Sequence, residues 1–498
     1  MPDKQVIVIG AGVGGLVTAI QLAARGLQVR VLERAEAPGG KMREVAVGPH
    51  HIDAGPTVFT MRWIFEDIFE AAGARLDAHL ELEPLSIIAR HAWSEQERLD
   101  LHADHERSVE AIGDFAGAAE ARGYRAFCEQ ARTIYTTLDP TFIRASRPSL
   151  MGLMGRCGLS GLGNLRGVRP YDSLWDMLGT YFKDERLRQL FGRYSTYCGS
   201  SPFMAPATLM LIAHVEQEGV WSVVGGMHRV AQALARLAEG LGATIEYGRD
   251  VTGIITRSGG VRGVSLADGE QIAADSVVVN ADPAALTSGR LGADVRRALP
   301  PLAPERRSLS ALTWCLSAET EGFPLARHNV FFGRDYASEF ADIFGQGRLP
   351  RDGTVYVCAQ DRGTDGNGAP HGPERLFLLL NAPPRGDRND FDAVEIEQCE
   401  QRVFSRLEHC GLRVRRDPER MVMTTPVEFE RRFPATGGAL YGQATHGWKA
   451  SFSRPASRTK IPGLYLAGGS THPGAGIPMA AMSGRLAAEA LLADRRST

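Results

Sequence analysis

The stretch QVIVIGAGVGGLVTAIQLAARGLQVRVLERAEAPGGKM, residues 5–42, decides the fold. The apolar, β-branched run Gln5–Ile9 is typical of a buried strand, and apolar residues recur at helical spacing after the glycines. A second apolar strand, Val29–Leu32, ends at Glu33, which lies 18 positions after Gly15. A strand, a glycine-rich turn, a helix and an acidic strand end together indicate an α/β fold that binds a dinucleotide.

The glycines of this turn are expected to have different tasks. Gly10 permits the tight turn, Gly12 lets a pyrophosphate approach the backbone, and Gly15 lets the helix pack closely on the strand. The phosphates would lie beside Gly14 at the helix N-terminus, and Glu33 would accept hydrogen bonds from ribose hydroxyls. The alternative, a turn that binds nothing, is disfavoured because the strand, the helix and the acidic residue are all present.

Composition and charge narrow the class of protein. A chain of 498 residues is long enough for about three domain-sized units. Lys and Arg number 56 against 58 Asp and Glu, a balance that gives no support to nucleic-acid binding. The 7 cysteines form no Cys-x-x-Cys pair, so we expect no metal site and a reducing, cytoplasmic location. Neither a signal peptide nor an apolar run of about 18 residues is evident.

A second pair of glycines helps to decide whether the bound dinucleotide is FAD or NAD. Gly39, Gly40 and Lys41 directly follow the acidic strand end, and the turn Gly55-Pro56 follows within HIDAGPTVF. This order resembles the flavin-containing amine oxidase and carotenoid desaturase superfamily more than a simple NAD dehydrogenase. The resemblance implies that Gly39, Gly40 and Lys41 lie along the diphosphate of FAD, and that Gly55 and Pro56 come near the flavin. The alternative for the glycine pair alone is a surface turn.

The end of the chain, AGGSTHPGAGIPMAAMSG at 467–484, resembles the C-terminal signature of bacterial-type carotenoid desaturases. A helix that begins here would direct its positive N-terminus at the negative charge on a reduced flavin. The residues expected beside the flavin are Gly468, Gly469, Gly476, Ile477 and Pro478. No cysteine lies among them, so FAD is expected to be non-covalent. His472 is either a pocket group or a turn residue that bonds its own backbone.

The domain organisation follows from where the α/β pattern stops and resumes. Strand patterns return after Gly225, and the resemblance places the adenine near Val251. The expected fold class is α/β (α+β overall), with a Rossmann-type FAD-binding domain assembled from three segments. These segments are residues 1–75, 225–295 and 460–498. A mixed substrate-binding domain with a helical, membrane-facing part would comprise residues 76–224 and 296–459.

A motif in the middle of the chain indicates the class of substrate. Tyr197–Trp221 matches the Tyr-x-Gly-x-x-Pro element of the desaturases, but the following segment lacks the proline found in many phytoene desaturases. It is similar to the branch acting on 1-hydroxycarotenoids, the hydroxyneurosporene (methoxyneurosporene) desaturases of purple photosynthetic bacteria. The resemblance implies an FAD-dependent enzyme of carotenoid biosynthesis that introduces the 3,4 double bond into a long acyclic hydroxycarotenoid. The alternatives are a phytoene desaturase, an amine or protoporphyrinogen oxidase, and a non-catalytic lipid carrier like the Rab GDP-dissociation inhibitors.

The electron acceptor (oxygen or a quinone) and the catalytic residues stay open, because no strong base stands out. Since such a substrate resides in lipid, we expect a cytoplasmic protein bound peripherally to the bilayer surface. The candidate entrance, residues 141–170, contains no acidic residue. It interleaves Phe142, Ile143, Leu150, Met151, Leu153 and Met154 with Arg144, Arg147, Arg156, Arg166 and Arg169. The alternative is a buried helix pair with an Arg-rich solvated loop around Gly158, Gly161 and Gly163.

Overall fold

The structure is a computed structural model that describes residues 5–146, 172–366, 368, 370–388 and 391–496. Its strands are β1 (Gln5–Ile9), β2 (Gln28–Leu32), β3 (Glu44–Val47), β4 (His50–Asp53), β5 (Leu82–Pro84), β6 (Ile87–Ala92), β7 (Arg98–His102), β8 (Trp221–Val223), β9 (Thr244–Glu246), β10 (Val251–Arg257), β11 (Gly260–Leu266), β12 (Gln271–Ala273), β13 (Ser276–Val279), β14 (Ser310–Ala318), β15 (Thr320–Gly322), β16 (His328–Phe331), β17 (Val355–Ala359), β18 (Glu374–Ala382), β19 (Leu412–Val414), β20 (Met421–Thr424) and β21 (Leu464–Leu466).

Its α-helices are α1 (Val13–Ala23), α2 (Arg62–Ala71), α3 (His105–Ala116), α4 (Ala118–Leu138), α5 (Leu174–Tyr181), α6 (Glu185–Gly192), α7 (Leu211–Glu218), α8 (His228–Gly240), α9 (Ala284–Thr287), α10 (Tyr336–Phe340), α11 (Ala393–His409), α12 (Pro426–Arg432) and α13 (Ile477–Arg496). Short 3-10 and π turns connect several of them.

A five-stranded parallel sheet, in the order β21-β13-β1-β2-β9, forms the first layer. Because successive side chains of a strand point to opposite faces, Val6 and Val8 of β1 pack towards α1, α8 and α13. Ile7 and Ile9 pack on the other face, towards the antiparallel sheet β10-β11-β12. Both faces of β1 are therefore covered, as its uninterrupted apolar sequence predicts.

This parallel sheet draws its strands from the beginning, the middle and the end of the chain. β1 and β2 come from the first residues, β9 and β13 from the middle, and β21 from the C-terminal part. The predicted fold class, a Rossmann-type α/β domain assembled from three segments and joined to a mixed second part, is confirmed.

The second layer is a seven-stranded sheet in the order β20-β14-β18-β17-β16-β6-β7, in which only the β16–β6 pair is parallel. Helix α11 covers one face, packing on apolar residues such as Trp314 and Leu378. The helices α3 to α6 pack around one end of the sheet, near Val330 and Phe332. The rest of the second face, which includes Tyr356, is left to line a cavity.

In the described part of the chain, no helix has the length and apolar character needed to span a bilayer. The six described cysteines are free thiols. The glycine-rich loop predicted around 158–163 and most of the candidate membrane entrance lie outside the described residues.

Candidate functional site

One large cavity of about 1350 Å³ lies between the two sheets. It begins at the glycine turn after β1 and extends to the helices around Phe142 and Val215. A pocket for a single small ligand usually has roughly 300–1,000 Å³. The cavity therefore has room for a dinucleotide and a second, apolar ligand.

The glycine turn after β1 is packed so closely that side chains are excluded. Gly10 has a φ of +96°, which favours glycine, and a Cβ at Gly15 would lie 2.2 Å from the carbonyl oxygen of Gly10. A Cβ at Gly12 would lie 2.7 Å from Nδ2 of Asn280. Gly10, Gly12 and Gly14 border the cavity, whereas Gly15 lies behind them and allows α1 to approach the turn.

Glu33 lies at the end of β2, where it is 7% exposed and borders the cavity. Its carboxylate accepts one hydrogen bond from the backbone N–H of Ala11 (2.7 Å) and another from that of Ala35 (2.9 Å). A carboxylate has about four lone-pair positions, so acceptor capacity for a ribose remains. Glu33 thus also fixes the shape of the glycine turn, a structural role that the sequence did not reveal.

The second glycine pair lies directly against the first turn. The N–H of Gly39 donates to the carbonyl oxygen of Ala11 (2.9 Å), and a Cβ at Gly39 would lie 2.1 Å from the carbonyl oxygen of Met42. Gly39 and Gly40 both have positive φ and border the cavity. The pair is therefore not a surface turn.

Lys41 follows this pair and also borders the cavity. Its Nζ donates to the carbonyl oxygen of Leu440 and lies 5.4 Å from the ring centroid of Phe433. Burial lowers the pKa of Lys41 to about 8, with a weaker opposing effect of the nearby Asp282 carboxylate. The side chain thus remains mostly protonated at neutral pH, which suits a site for a diphosphate.

The C-terminal segment meets the glycine turn from the other side. A Cβ at Gly14 would lie 2.7 Å from the backbone nitrogen of Gly468, whose N–H donates to Oγ of Ser483 on α13 (3.2 Å). Gly476 has a φ of +101° immediately before α13 begins at Ile477. The cavity-bordering residues of this segment include Gly468, Gly469, Gly476, Ile477 and Pro478.

The remaining predicted cofactor residues also border the cavity. A Cβ at Gly55 would lie 2.0 Å from the carbonyl oxygen of Lys41, so the turn Gly55-Pro56 is held against the second glycine pair. Val251 begins β10, pairs with Leu266, packs with Ile9 and Leu32 of the main sheet and borders the cavity.

Asn280, which the sequence did not single out, lies where the first and last segments meet. It follows β13, and its Nδ2 donates to the carbonyl oxygen of Gly10 (3.2 Å). A Cβ at Gly468 would lie 2.9 Å from its Oδ1. The available signal was a polar residue directly after a buried strand, the position at which parallel sheets bind ligands.

Asp53 has a structural role that was also missed. Its carboxylate accepts from the N–H of Met227 (2.7 Å) and of His228 (3.0 Å), at the start of α8. Burial raises the pKa of Asp53, and these two hydrogen bonds oppose the shift. A Cβ at Gly226 would lie 2.6 Å from this carboxylate, so glycine is required there. Asp53 thereby joins the Gly55-Pro56 turn to the middle segment.

Neither interpretation offered for His472 is correct. Its Nε2 lies 2.7 Å from the carbonyl oxygen of Ala145, and its ring packs edge-on against Phe142 at 4.9 Å. The residue is 2% exposed, and burial lowers its pKa to about 4. His472 is thus a neutral, buried residue that joins the C-terminal turn to the end of the long helical segment.

The part of the cavity away from the glycine turns is mainly apolar. Its apolar lining includes Leu138, Phe142, Ile143, Leu211, Val215 and Val220. Polar side chains interrupt this lining, among them Arg193, Tyr197 and Glu216 on the helical side and His328, Tyr336, Glu339, Tyr356 and Asn381 on the side of the seven-stranded sheet.

An FAD-sized dinucleotide fits the described residues, because the glycine turns bring bare backbone to the wall of the cavity and Lys41 and the N-terminus of α13 supply positive charge. The cradle opens directly onto an apolar chamber. This arrangement defines a flavin-dependent oxidoreductase. The chain belongs to the family of flavin containing amine oxidoreductases, whose model matches residues 13–492, and its cofactor is FAD.

Curated relatives cover the chain almost completely. It is 57% identical over 495 residues to the hydroxyneurosporene desaturase of Rubrivivax gelatinosus, covering 99% of this chain and 94% of that protein. It is 46% identical to the hydroxyneurosporene desaturase of Cereibacter sphaeroides, covering 99% of this chain and 98% of that one. Among solved structures, an oxidoreductase from Methanosarcina mazei has the same fold, with a TM-score of 0.61, 17% identity and coverage of 97% and 100%.

Proposed function

We propose that the protein is an FAD-dependent desaturase that introduces the 3,4 double bond into a 1-hydroxylated acyclic carotenoid. The observation that carries the proposal is the continuous cavity, which joins a dinucleotide cradle to a long apolar chamber. The names of the two relatives, which match this chain over nearly its whole length, support the same reaction. A phytoene desaturase is less well supported, because a pure hydrocarbon could not form hydrogen bonds with Arg193, Tyr197 and Glu216, which border the cavity.

FAD would be held by the residues predicted from the sequence. We infer that Gly10, Gly12 and Gly14 contact the diphosphate, and that Glu33 accepts from the ribose. Gly39, Gly40 and Lys41 would lie along the same diphosphate, Val251 near the adenine, and Gly55, Pro56, Gly468, Gly469, Gly476, Ile477 and Pro478 around the flavin. The corresponding domain would comprise residues 1–75, 225–295 and 460–498, with residues 76–224 and 296–459 forming the substrate domain.

When bound, FAD supplies the two-electron acceptor for hydride removal from the allylic carbon of the substrate. The apolar wall of the chamber excludes water and holds the polyene in one orientation, which contributes through positioning. The positive N-terminus of α13 favours the negative charge that accompanies reduction. Hydride loss leaves a cation that the conjugated chain delocalises, so the neighbouring carbon loses its proton readily to a weak base or to water, and no side chain has to act as a strong base.

Access from a membrane surface is a further part of the proposal. A carotenoid partitions into lipid, and an enzyme that draws it from there needs an apolar entrance flanked by cations. Of the arginines in the candidate entrance, Arg144 lies in the described part of the chain. It is paired with Asp139 (3.0 Å) and Asp67 (3.7 Å) and lies over the ring of Trp63, so its charge is already compensated. The entrance therefore rests on Arg147, Arg156, Arg166 and Arg169, which lie outside the described residues.

A liposome experiment tests the proposed function. The purified holoenzyme is given anionic liposomes that contain either 1-hydroxyneurosporene or phytoene, with oxygen or a quinone as final acceptor. We expect the hydroxylated carotenoid to be converted, with a shift of its absorption to longer wavelength, and phytoene to be converted much more slowly. Preferential conversion of phytoene would overturn the assignment.

Replacing Arg147, Arg156 and Arg166 by Gln should weaken the co-sedimentation of the protein with anionic liposomes without changing its FAD content. Equal co-sedimentation of the variant and the parent would refute the proposed entrance.

A further inference from the structure

A group of polar side chains lines the substrate part of the cavity, together with the apolar residues Leu138, Leu211 and Val220. Arg193 and Tyr197 lie on one 3-10 turn, and Glu216 lies on α7. All of them border the cavity while being shielded from bulk solvent. We call Arg193, Tyr197 and Glu216 the polar group.

The hydrogen bonds within the polar group leave capacity for a ligand. The guanidinium of Arg193 donates to the Tyr197 hydroxyl (3.0 Å), and the carboxylates of Glu216 and Glu339 act on it electrostatically without forming a salt bridge among the described residues. A guanidinium has five N–H donors, so most of them remain available towards the cavity. Glu216 accepts from the hydroxyl of Tyr194 (2.7 Å) and retains further lone pairs.

A buried hydroxyl next to the polar group, that of Tyr336, also lacks a hydrogen-bond partner among the described residues. Tyr336 borders the cavity and is 3% exposed. Buried polar groups are normally hydrogen-bonded, and leaving one unpaired is unfavourable. A hydrocarbon could not hydrogen-bond to the free donors of Arg193 or the free lone pairs of Glu216, whereas an alcohol both donates and accepts.

The polar group also lies near the expected position of the flavin. The guanidinium carbon of Arg193 is 5.3 Å from the ring centroid of Tyr356. The hydroxyl of Tyr356 is 2.6 Å from Oγ1 of Thr57, which directly follows the Gly55-Pro56 turn. A short chain of contacts therefore connects Arg193 with the turn proposed to lie beside the flavin.

We infer that the polar group is the binding site for the tertiary hydroxyl at C1 of the substrate, with Arg193 donating to the hydroxyl oxygen and Glu216 accepting its hydrogen. This inference rests on the proposed function. In a 1-hydroxycarotenoid a single carbon separates C1 from C3, so a group that holds the hydroxyl also fixes the C3–C4 bond relative to the flavin. Tyr197 is a positioning residue, because it orients Arg193. The hydroxylated end of the chain would thus enter the cavity first.

Substrate discrimination tests the inference. The variant Arg193→Met removes the donor at similar volume, and Arg193→Lys restores one donor. Arg188→Met is the matched control, because Arg188 also lies over an aromatic ring, that of Trp175 at 4.4 Å, but does not border the cavity. Each variant is assayed for FAD content, thermal stability and kcat/KM, with 1-hydroxyneurosporene and with 1,2-dihydroneurosporene, the same carotenoid with hydrogen in place of the hydroxyl.

We expect Arg193→Met to lower kcat/KM for the hydroxylated carotenoid roughly ten- to a hundredfold, the range for a hydrogen bond to a charged group, and to lower that for 1,2-dihydroneurosporene much less. Arg193→Lys should recover part of the loss, and Arg188→Met should match the parent. An unchanged preference in Arg193→Met, or an equal loss with both carotenoids, would overturn the inference.

A binding measurement separates this inference from the proposed function. A short tertiary alcohol with the same end group, and the alkane of the same skeleton, are titrated into oxidised holoenzyme while the flavin absorption spectrum is recorded. The inference predicts that the parent binds the alcohol more tightly than the alkane and that Arg193→Met does not. This result would stand even if the parent failed to oxidise 1-hydroxyneurosporene, a failure that would refute only the proposed function. Equal affinity of the parent for alcohol and alkane would refute the hydroxyl site.

Discussion

The substitution Gly15→Ala tests whether the glycine turn is as tightly packed as the structure indicates. The added Cβ would lie 2.2 Å from the carbonyl oxygen of Gly10, roughly 1 Å closer than the 3.4 Å at which ordinary contact begins. Because the neighbour is backbone, the turn itself must move. Overpacking of this kind costs about 1–3 kcal/mol, while alanine in place of glycine within a helix gains about 1 kcal/mol.

Gly113→Ala is the matched control, since Gly113 lies within α3 and its Cβ would meet only the Cβ of Ala121, at 3.6 Å. Both variants gain the helical contribution, so the difference between their free energies of unfolding isolates the steric cost. We expect Gly15→Ala to be less stable than Gly113→Ala by about 1–3 kcal/mol in urea unfolding of the apoprotein. The displaced turn should also weaken FAD binding at least roughly tenfold, measured by quenching of flavin fluorescence. Equal stability and equal FAD affinity of the two variants would refute the reasoning.

Two substitutions test the cofactor site, and the pH dependence of stability tests two histidines, the buried His472 and the partly buried His446, which accepts from the N–H of Ser201 (3.1 Å). Gly12→Val places a Cβ 2.7 Å from Nδ2 of Asn280 and fills the cradle, so the purified protein should fold but carry less FAD; full occupancy would contradict the assignment. Ile477→Asp places an anion at the start of α13, so a spectroelectrochemical titration should give a lower flavin reduction potential; an unchanged potential would show that this helix does not face the flavin. Burial lowers the pKa of His446 and of His472 to about 4, so below about pH 6.5 the unfolded chain binds protons that the folded chain does not. The free energy of unfolding should therefore fall as the pH is lowered from 6.5 to 4, by up to about 1.4 kcal/mol per pH unit for each histidine. Measured by urea unfolding, the variant His446→Asn should show a smaller dependence of this free energy on pH. The same pH dependence in the variant and the parent would contradict the partly buried, neutral state of His446.

The parts of the site that depend on local sequence could be predicted. The first glycine turn carries its own signals, because a buried strand, the glycines and the amphipathic α1 are contiguous. The C-terminal turn and the start of α13 at Ile477 are likewise defined by neighbouring glycines and a proline. Strand ends differed slightly, as for β2, which begins at Gln28 rather than Val29. Such differences arise because a residue at the end of a strand belongs to the strand only if a neighbouring strand pairs with it through hydrogen bonds.

The parts that depend on distant contacts could not be predicted. Asp53 caps α8 through Met227 and His228, which lie more than 170 positions later in the chain. The partner of His472, the carbonyl oxygen of Ala145, is 327 positions away, so neither local interpretation of that histidine was correct. The association of Arg193 with Tyr356 likewise requires the helical segment to fold over the seven-stranded sheet. No periodicity or motif in the sequence encodes these juxtapositions.

The central claim is that FAD held in this cavity accepts the hydrogens removed from a hydroxylated carotenoid. An anaerobic single-turnover experiment tests it most directly, with oxidised holoenzyme, liposomes containing 1-hydroxyneurosporene and no other electron acceptor. The account predicts that the loss of oxidised-flavin absorbance equals, mole for mole, the formation of a product that lacks two hydrogens and carries a new C3–C4 double bond. Product formed without flavin reduction, or flavin reduced without that product, would contradict it.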